Sequence, residues 1–248
     1  GAGVRLFYGV CGWSFLFRAA RMSWLLAAAY GYTLEKYAYR PLAYAPRLSP
    51  LISAIGMSLF LQNYVLLAQT PDFLPFPALI PDFDFMEPIA HIMGSSELVI
   101  LVTSAVSMVG LTVLIKYTRI GKAMRATQQD MTMARLVGVN VDNVISMTFI
   151  IGSVLAAIGG VLVGSYIGQI NFYIGFMAGV KAFTAAVLGG IGNIPGAVLG
   201  ALVLGLTEEY AAGYISSAYE DVFAFGVLVL ILILRPSGLL GKAVKLKV

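Results

Sequence analysis

Few residues in this 248-residue chain could do chemistry, and their scarcity is informative. There is one cysteine, Cys11, and one histidine, His91. No intramolecular disulfide can form from a single thiol, and a Cys/His metal site has no ligand set. No HExxH or GxSxG pattern is present, and no catalytic cluster suggests itself. Both Gly-Lys pairs, Gly121-Lys122 and Gly241-Lys242, are followed by Ala rather than Ser or Thr, so neither closes a phosphate-binding loop. Four features remain. The cytoplasmic loop 121–139 is basic and rich in helix formers, and it ends on Gly138 as a stop signal. Gly152, Ala156, Gly160, Gly164 and Gly168 recur every fourth residue and so share one helix face. The 189–196 run breaks an apolar stretch with glycine and proline. Lys181 stands in an otherwise uncharged region, and a charge at membrane depth is a functional candidate unless it snorkels to the interface or pairs with an acid.

The elements that hold these features are set by composition. Apolar residues make up 59% of the chain and charged residues 11%, with a mean hydropathy of +0.88. A soluble core would carry about 25% charged residues and could not hide so much apolar surface. The expected fold class is all-α: a polytopic membrane protein of six to seven transmembrane helices with a Gly/Pro-interrupted helix pair, built as a single transmembrane domain over 1–248. Spans are expected at about 19–35, 50–69, 97–116, 144–168, 176–191, 196–212 and 221–235, each judged against the ~20 apolar residues a crossing needs. The first is ambiguous, because Arg18 and Arg21 separate an apolar run at 4–17 from another at 22–34. No cleavable signal peptide is evident, since no charged segment precedes the first apolar run.

The charges orient these spans. Lys36, Arg40 and Arg47 fall in one loop, and Lys116, Arg119, Lys122, Arg125 and Arg135 in another. Arg235, Lys242, Lys245 and Lys247 fall in the tail. The segments between hold Asp72, Asp82, Asp84, Glu87, Glu97, Glu208, Glu209, Glu220 and Asp221, without Lys or Arg. By the positive-inside rule the first group is cytoplasmic and the second external, with the amino terminus outside. The net charge of +4 thus reflects membrane topology, and no basic patch interleaved with aromatics points to nucleic acid.

Each chemical feature has two readings. The small-residue ladder either packs helices closely, since glycine supplies backbone approach where lipid removes the hydrophobic drive, or forms a surface that slides during transport. Broken backbone at 189–196 survives at membrane depth only if protein buries it or water lines it. It is either a tight hairpin or part of a substrate path in which Thr184, Gly189, Gly190, Asn193, Pro195 and Gly196 meet the solute. The 121–139 loop is either a solvated connector or a short helix that seats in a cytosolic motor. In the second case Gly121, Ala123, Arg125, Ala126, Asp130, Ala134, Arg135 and Gly138 form the coupling surface, with Met131 and Leu136 as apolar docking points.

At this loop the sequence resembles a known family. Arg40-Pro41-Leu42, Leu51-Ile52-Ser53-Ala54-Ile55-Gly56-Met57-Ser58, Leu61-Gln62-Asn63-Tyr64, the loop 121–139, the run 173–192 and Arg235-Pro236-Ser237-Gly238-Leu239-Leu240-Gly241 resemble permease subunits of branched-chain amino-acid ABC importers. The likeness covers roughly residues 22–241. It implies a homologous permease subunit as partner, in a homo- or heterodimer, two cytosolic ATPases on the coupling loops, and a periplasmic solute-binding protein. ATP would be bound by those partners, with no cofactor on this chain, in the inner membrane of a bacterium. Residues 1–21 show no counterpart, and the family's Asn-Phe-Ala-His-Gly segment is missing, so the sequence reads as a fragment or a chain with a truncated or misread start. The rival functions are a channel or secondary carrier, a membrane-embedded enzyme, and a non-transporting scaffold. The topology makes a direct prediction: in a Cys11→Ser background, an Asp84→Cys variant labels with an impermeant maleimide in intact cells. Labelling only after permeabilisation would overturn the orientation.

Overall fold

The computed structural model describes residues 21–42, 49–68, 71–76, 94–190, 192–235 and 237–241. The apolar run at 4–17, along with Cys11, His91 and Asp84, lies outside the described residues. The described chain is helical throughout, apart from one two-stranded pairing. Helix α1 spans 21–34 and continues through a π-turn, Glu35–Tyr39, into a 3-10 turn, Arg40–Leu42. It is followed by α2 (Ser49–Ala68), α3 (Ser95–Tyr117), α4 (Arg119–Gln129), α5 (Met131–Leu136) and α6 (Val141–Ile167). Then come α7 (Ile174–Gly189), α8 (Ile194–Tyr214) and α9 (Glu220–Leu234). Each expected span meets a helix within about three residues of its expected ends, within the usual scatter of such boundaries.

Four of these helical segments are long and apolar enough to cross a membrane: 96–117, α6, α8, and α9 with its preceding turn. Helix α7 and the 52–68 part of α2 are apolar but shorter. At 16 residues, α7 is about 24 Å long, less than the ~30 Å hydrocarbon core. The exposed surface of these helices is itself apolar. None of the α3 window is buried, and Val106, Leu67 and Ile233 are among many large apolar side chains open to the surroundings. A helix that is hydrophobic all round belongs in lipid or in a large core. This chain has only a sparse core, so lipid is the solvent, and the protein is a multi-pass membrane protein.

The chain divides into two compact units, 1–172 and 173–248. In the first, α1 runs antiparallel along α6. At Gly31 a Cβ would meet Ser153 Cβ at 2.8 Å, so only glycine allows this approach. Further along, the Tyr39 and Phe149 rings lie 4.8 Å apart. Strands β1 (Leu74–Pro75) and β2 (Gln169–Ile170) pair antiparallel, Leu74 opposite Ile170. Beside them Phe76 N–H donates to Gly168 O at 2.9 Å, which ties the segment after α2 to the end of α6.

In the second unit α7 and α8 form a hairpin whose contact is backbone on backbone. A Cβ at Gly200 would meet Gly189 N at 2.7 Å and Gly189 Cα at 3.1 Å, and Gly189, Gly196 and Gly200 are all buried. Gly200→Ala should therefore cost about 1–3 kcal/mol by overpacking against rigid backbone. Gly205 on the same helix has open space around it, so Gly205→Ala should leave the melting temperature in detergent unchanged. Equal melting temperatures for the two variants would refute the close contact.

Candidate coupling loop and charged hub

The segment after α3, expected from its charges to be cytoplasmic, is two helices rather than one. Thr118 starts α4: its hydroxyl accepts from Gly121 N–H at 3.1 Å and donates to Leu114 O at 2.5 Å. Gly121 is buried against the end of α3, where a Cβ would sit 2.5 Å from Ile115 Cα. Arg125 reaches back to Lys116 O at 3.4 Å, a contact that satisfies one of the carbonyls left open where a helix ends. Thr127, three-quarters of the way along α4, is buried. Asp130 then breaks the helix. Its backbone is extended, and its carboxylate accepts from Thr132 N–H at 2.8 Å and Met133 N–H at 3.1 Å, which starts α5. An aspartate at a cap satisfies orphan donors and favours the positive end of the helix dipole.

Helix α5 ends at a reversal. Gly138 has φ +87, a conformation that glycine adopts without strain. Gly138 N–H donates to Arg135 O, and Val139 N–H to Ala134 O at 3.0 Å, a glycine-terminated helix end. Asn140 caps α6 through Asn143 N–H at 3.2 Å. Of the docking residues named from the sequence, Ala134 is buried, Ala123 and Ala126 are half-buried, and Arg125, Asp130, Arg135 and Gly138 are exposed. The sequence reading singled out Met131 and Leu136. It missed Met133 and Val137, which are also exposed, Val137 by 83%. Their signal was the apolar content of a segment flanked by charge.

The hairpin between α7 and α8 is closed by the chain's own tail. Gly190 and Gly192 take positive φ at the turn, and Asn193 caps α8 by accepting from Gly196 N–H at 3.5 Å. Pro195 sits at the start of α8, where a missing N–H costs nothing. The last carbonyls of α7 are taken up by the tail: Leu239 N–H donates to Leu188 O at 2.9 Å and Leu240 N–H to Gly189 O at 3.1 Å. Asn193 Nδ2 donates to Leu240 O at 3.0 Å. Gly190 and Gly238 approach so closely that a Cβ on Gly238 would lie 2.6 Å from Gly190 N. Thr184 is buried one turn and a half before this point, its hydroxyl bonded to Val180 O at 2.9 Å. The structure thus brings Gly189, Gly190, Asn193, Pro195 and Gly196 into one tight capped turn, with Thr184 inside α7.

The small-residue ladder of α6 is distributed differently. At Gly152 and Gly160 an added Cβ would meet nothing within 4 Å among the described residues, whereas at Gly164 it would meet Ile170 Cγ2 at 3.2 Å. Gly168, at φ +73, is the reversal that ends the helix. Ala156 lies between these positions on the same face.

Lys181 has found acids. Its ammonium donates to Glu208 Oε2 at 3.1 Å and Glu220 Oε1 at 2.8 Å, and lies 3.5 Å from Asp221 Oδ1. It thereby joins α7 to the second half of α8 and the start of α9. The three carboxylates offer oxygens within 4.8 Å of one another, and the cation in their midst is the lysine. Lys181 is seven residues into α7, about 10 Å along it and near its middle, and its side chain is 33% exposed, so the charge is partly screened by solvent. Removing one partner of a screened pair costs less than in a deep core. Lys181→Met should lower stability by about 1–2 kcal/mol, and Lys181→Met/Glu208→Gln should regain part of it by relieving carboxylate repulsion. Thermal melts in detergent check both; an unchanged Lys181→Met melt would remove the hub from the stability of this unit.

The chain matches the family model "Branched-chain amino acid transport system / permease component" over residues 6–232. The match takes in most of 1–21, for which the residues alone had shown no counterpart. The high-affinity branched-chain amino acid transport system permease protein LivH of Salmonella typhimurium is 47% identical over 228 residues, covering 88% of this chain and 72% of that protein. LivH of Escherichia coli is 47% identical over 221 residues, with the same coverage. The permease protein BraD of Pseudomonas aeruginosa is 48% identical over 221 residues, again 88% and 72%. No solved structure matches the chain.

Proposed function

The chain belongs to the family of branched-chain amino acid transport system permease components, and from that premise we propose that it forms half of the path of an ATP-driven importer in a bacterial inner membrane. The cargo is leucine, isoleucine, valine or a related small solute, as the names of the relatives indicate for those proteins. The family is one of transport components rather than enzymes. A second permease subunit completes the path, two cytosolic ATPases drive it, and a periplasmic binding protein delivers the solute.

One observation carries this reading. The cytoplasmic α4–α5 segment is rigidly capped at every helix end, yet it leaves Met131, Met133, Leu136 and Val137 exposed. Elsewhere in this protein exposed apolar side chains are explained by lipid. Here they lie among Lys122, Arg125 and Arg135 in a polar loop, and apolar anchors ringed by charge are what a protein partner buries. A solvated connector needs neither the caps nor the anchors. ATP-driven closure of the motors would push this segment, and the tilted helices would switch access between the two sides.

The α7–α8 turn, with Thr184, Gly189, Gly190, Asn193, Pro195 and Gly196, is proposed as the inner rim of the path. Gly152, Ala156, Gly160, Gly164 and Gly168 supply a face for helix packing, and the open positions Gly152 and Gly160 suit close approach by a helix of the second subunit. Whether one domain or two, the whole chain serves this one permease role.

The test is reconstitution with the ATPases. Met133→Glu/Leu136→Glu should lower ATPase co-purification at least about ten-fold, the effect of losing ~1.4 kcal/mol of binding at an interface centre, and should abolish ATP-dependent leucine uptake with it. Full co-purification of the ATPases with this variant would remove the loop from the interface.

A further inference from the structure

Asp142 stands in the first turn of α6 with a guanidinium on each carboxylate oxygen. Oδ2 meets Arg40 Nη2 at 3.2 Å, and Oδ1 meets Arg135 Nη2 at 3.1 Å. Arg40 belongs to the turn that ends α1, and Arg135 to α5. One carboxylate therefore connects three elements that come from distant parts of the sequence: the first described helix, the ATPase-facing segment and the long span α6.

The connection between α1 and α6 has further contacts. Glu35, only 1% exposed, accepts from the Ser146 hydroxyl at 2.6 Å. Tyr39 packs on Phe149, and Gly31 on Ser153. Gly31, Glu35 and Tyr39 are four residues apart and face Ser153, Ser146 and Phe149. The i→i+5 turn at Glu35–Tyr39 shifts the register of this stripe, a departure from regular helix that recurs at functional positions. Helix α1 is thus fastened to α6 over its cytoplasmic half, and at the last turn the fastening residue is also the one that holds α5.

We propose that Asp142 is the joint through which α1 moves together with the coupling segment, so that a push on α4–α5 is delivered to the first helix as well as to α6. The proposal rests on the reading of α4–α5 as the ATPase-facing segment. Asp142 is a positioning residue: it touches neither solute nor nucleotide. Its three side chains are each nearly half exposed, so the ion pairs contribute little to stability. What they fix is geometry. The carboxylate is itself held by the α6 helix start, where Asn140 caps the backbone and the dipole favours a negative charge. A joint of this strength can hold two elements in step without making the resting fold depend on it.

The experiment uses the full complex in proteoliposomes, with permease, ATPases and binding protein, and reads leucine transported per ATP hydrolysed. Asp142→Asn and Arg40→Gln should each lower that ratio by about five-fold, the low end of measured coupling between sites. The double variant should fall no further, because residues acting as one unit are not additive. Asp142→Glu should restore the ratio to near wild type, and ATPase co-purification should be retained throughout. A second measurement is independent of turnover. Spin labels at the exposed positions Tyr37 and Val137 should keep a constant separation between nucleotide states in the parent complex, and should separate variably in Asp142→Asn. A wild-type ratio in Asp142→Asn, a double variant whose loss is the product of the singles, or loss of the ATPases from the complex on Asp142→Asn would each overturn the proposal. Failure of the unsubstituted chain to bind ATPases would instead refute the function proposed above.

Discussion

A peptide group in hydrocarbon has no water to bond, and each one left unpaired costs several kcal/mol. The rest of this structure follows from that constraint. It makes the described chain helical almost throughout and confines the one strand pairing to two residues a side, outside the helices. It also makes every helix end a problem, because four donors or four acceptors are left over at each. The chain solves that problem residue by residue. Thr118, Asp130, Asn140 and Asn193 cap the starts of α4, α5, α6 and α8, and Ser216 caps the short turn before α9. At the end of α7, where no side chain serves, the tail 237–241 supplies its own amide N–H groups. The glycines at this point belong to the close approach beside those bonds: a Cβ on Gly238 would lie 2.6 Å from Gly190 N, and one on Gly190 would lie 2.5 Å from Gly241 N.

Charge is the second organiser, and it acts differently within each unit. In the first unit the positive residues are many, and Lys116, Arg119, Lys122, Arg125 and Arg135 are all exposed. Where a carboxylate enters this field, at Asp142, it pairs with Arg40 and Arg135. In the second unit the balance is reversed, with Lys181 as a cation among three acids. Lys181 meets Glu208, Glu220 and Asp221 because a single ammonium in a partly dehydrated setting gains most by collecting several partners. Each unit therefore has a centre of opposite character: one acid between two cations in the first, one cation among three acids in the second.

The spans and their order were legible from the sequence because they depend on local quantities: apolar length, breaks at glycine and proline, and the sign of the loops. Ser95–Tyr117 and Val141–Ile167 lie almost where composition alone puts them. The coupling loop was legible as helical but not as two helices. An aspartate amid helix formers reads as a surface residue, and the extended backbone at Asp130 is visible only in the fold. The partners of Lys181 were legible as a type and not as residues. Its bonds span 27 and 39 positions in sequence, and Glu35 and Ser146 are 111 apart. Periodicity carries no information at that range. The glycine ladder shows the converse: the spacing specifies the face that carries Gly152 and Gly160, but among the described residues nothing covers those two positions, since spacing can specify a face without specifying what covers it.

The distribution of stiffness follows from these contacts. Where glycines bring backbone to backbone, as at Gly189, Gly196 and Gly200, there is little room for a small displacement, because interiors packed this closely respond by discrete shifts rather than by stretching. The α7–α8 hairpin with its tail clip is therefore suited to move as a block. The joints made by long side chains are softer. An arginine on Asp142 or the lysine among its acids can lose one bond and keep another, so elements joined in this way can change angle at small cost. A transporter needs both: rigid pieces that preserve the shape of a path, and compliant joints at the ends of those pieces. In this chain the rigid contacts are made by residues without side chains, and the compliant ones by the longest side chains available, where partial exposure lets solvent share the cost of rearrangement.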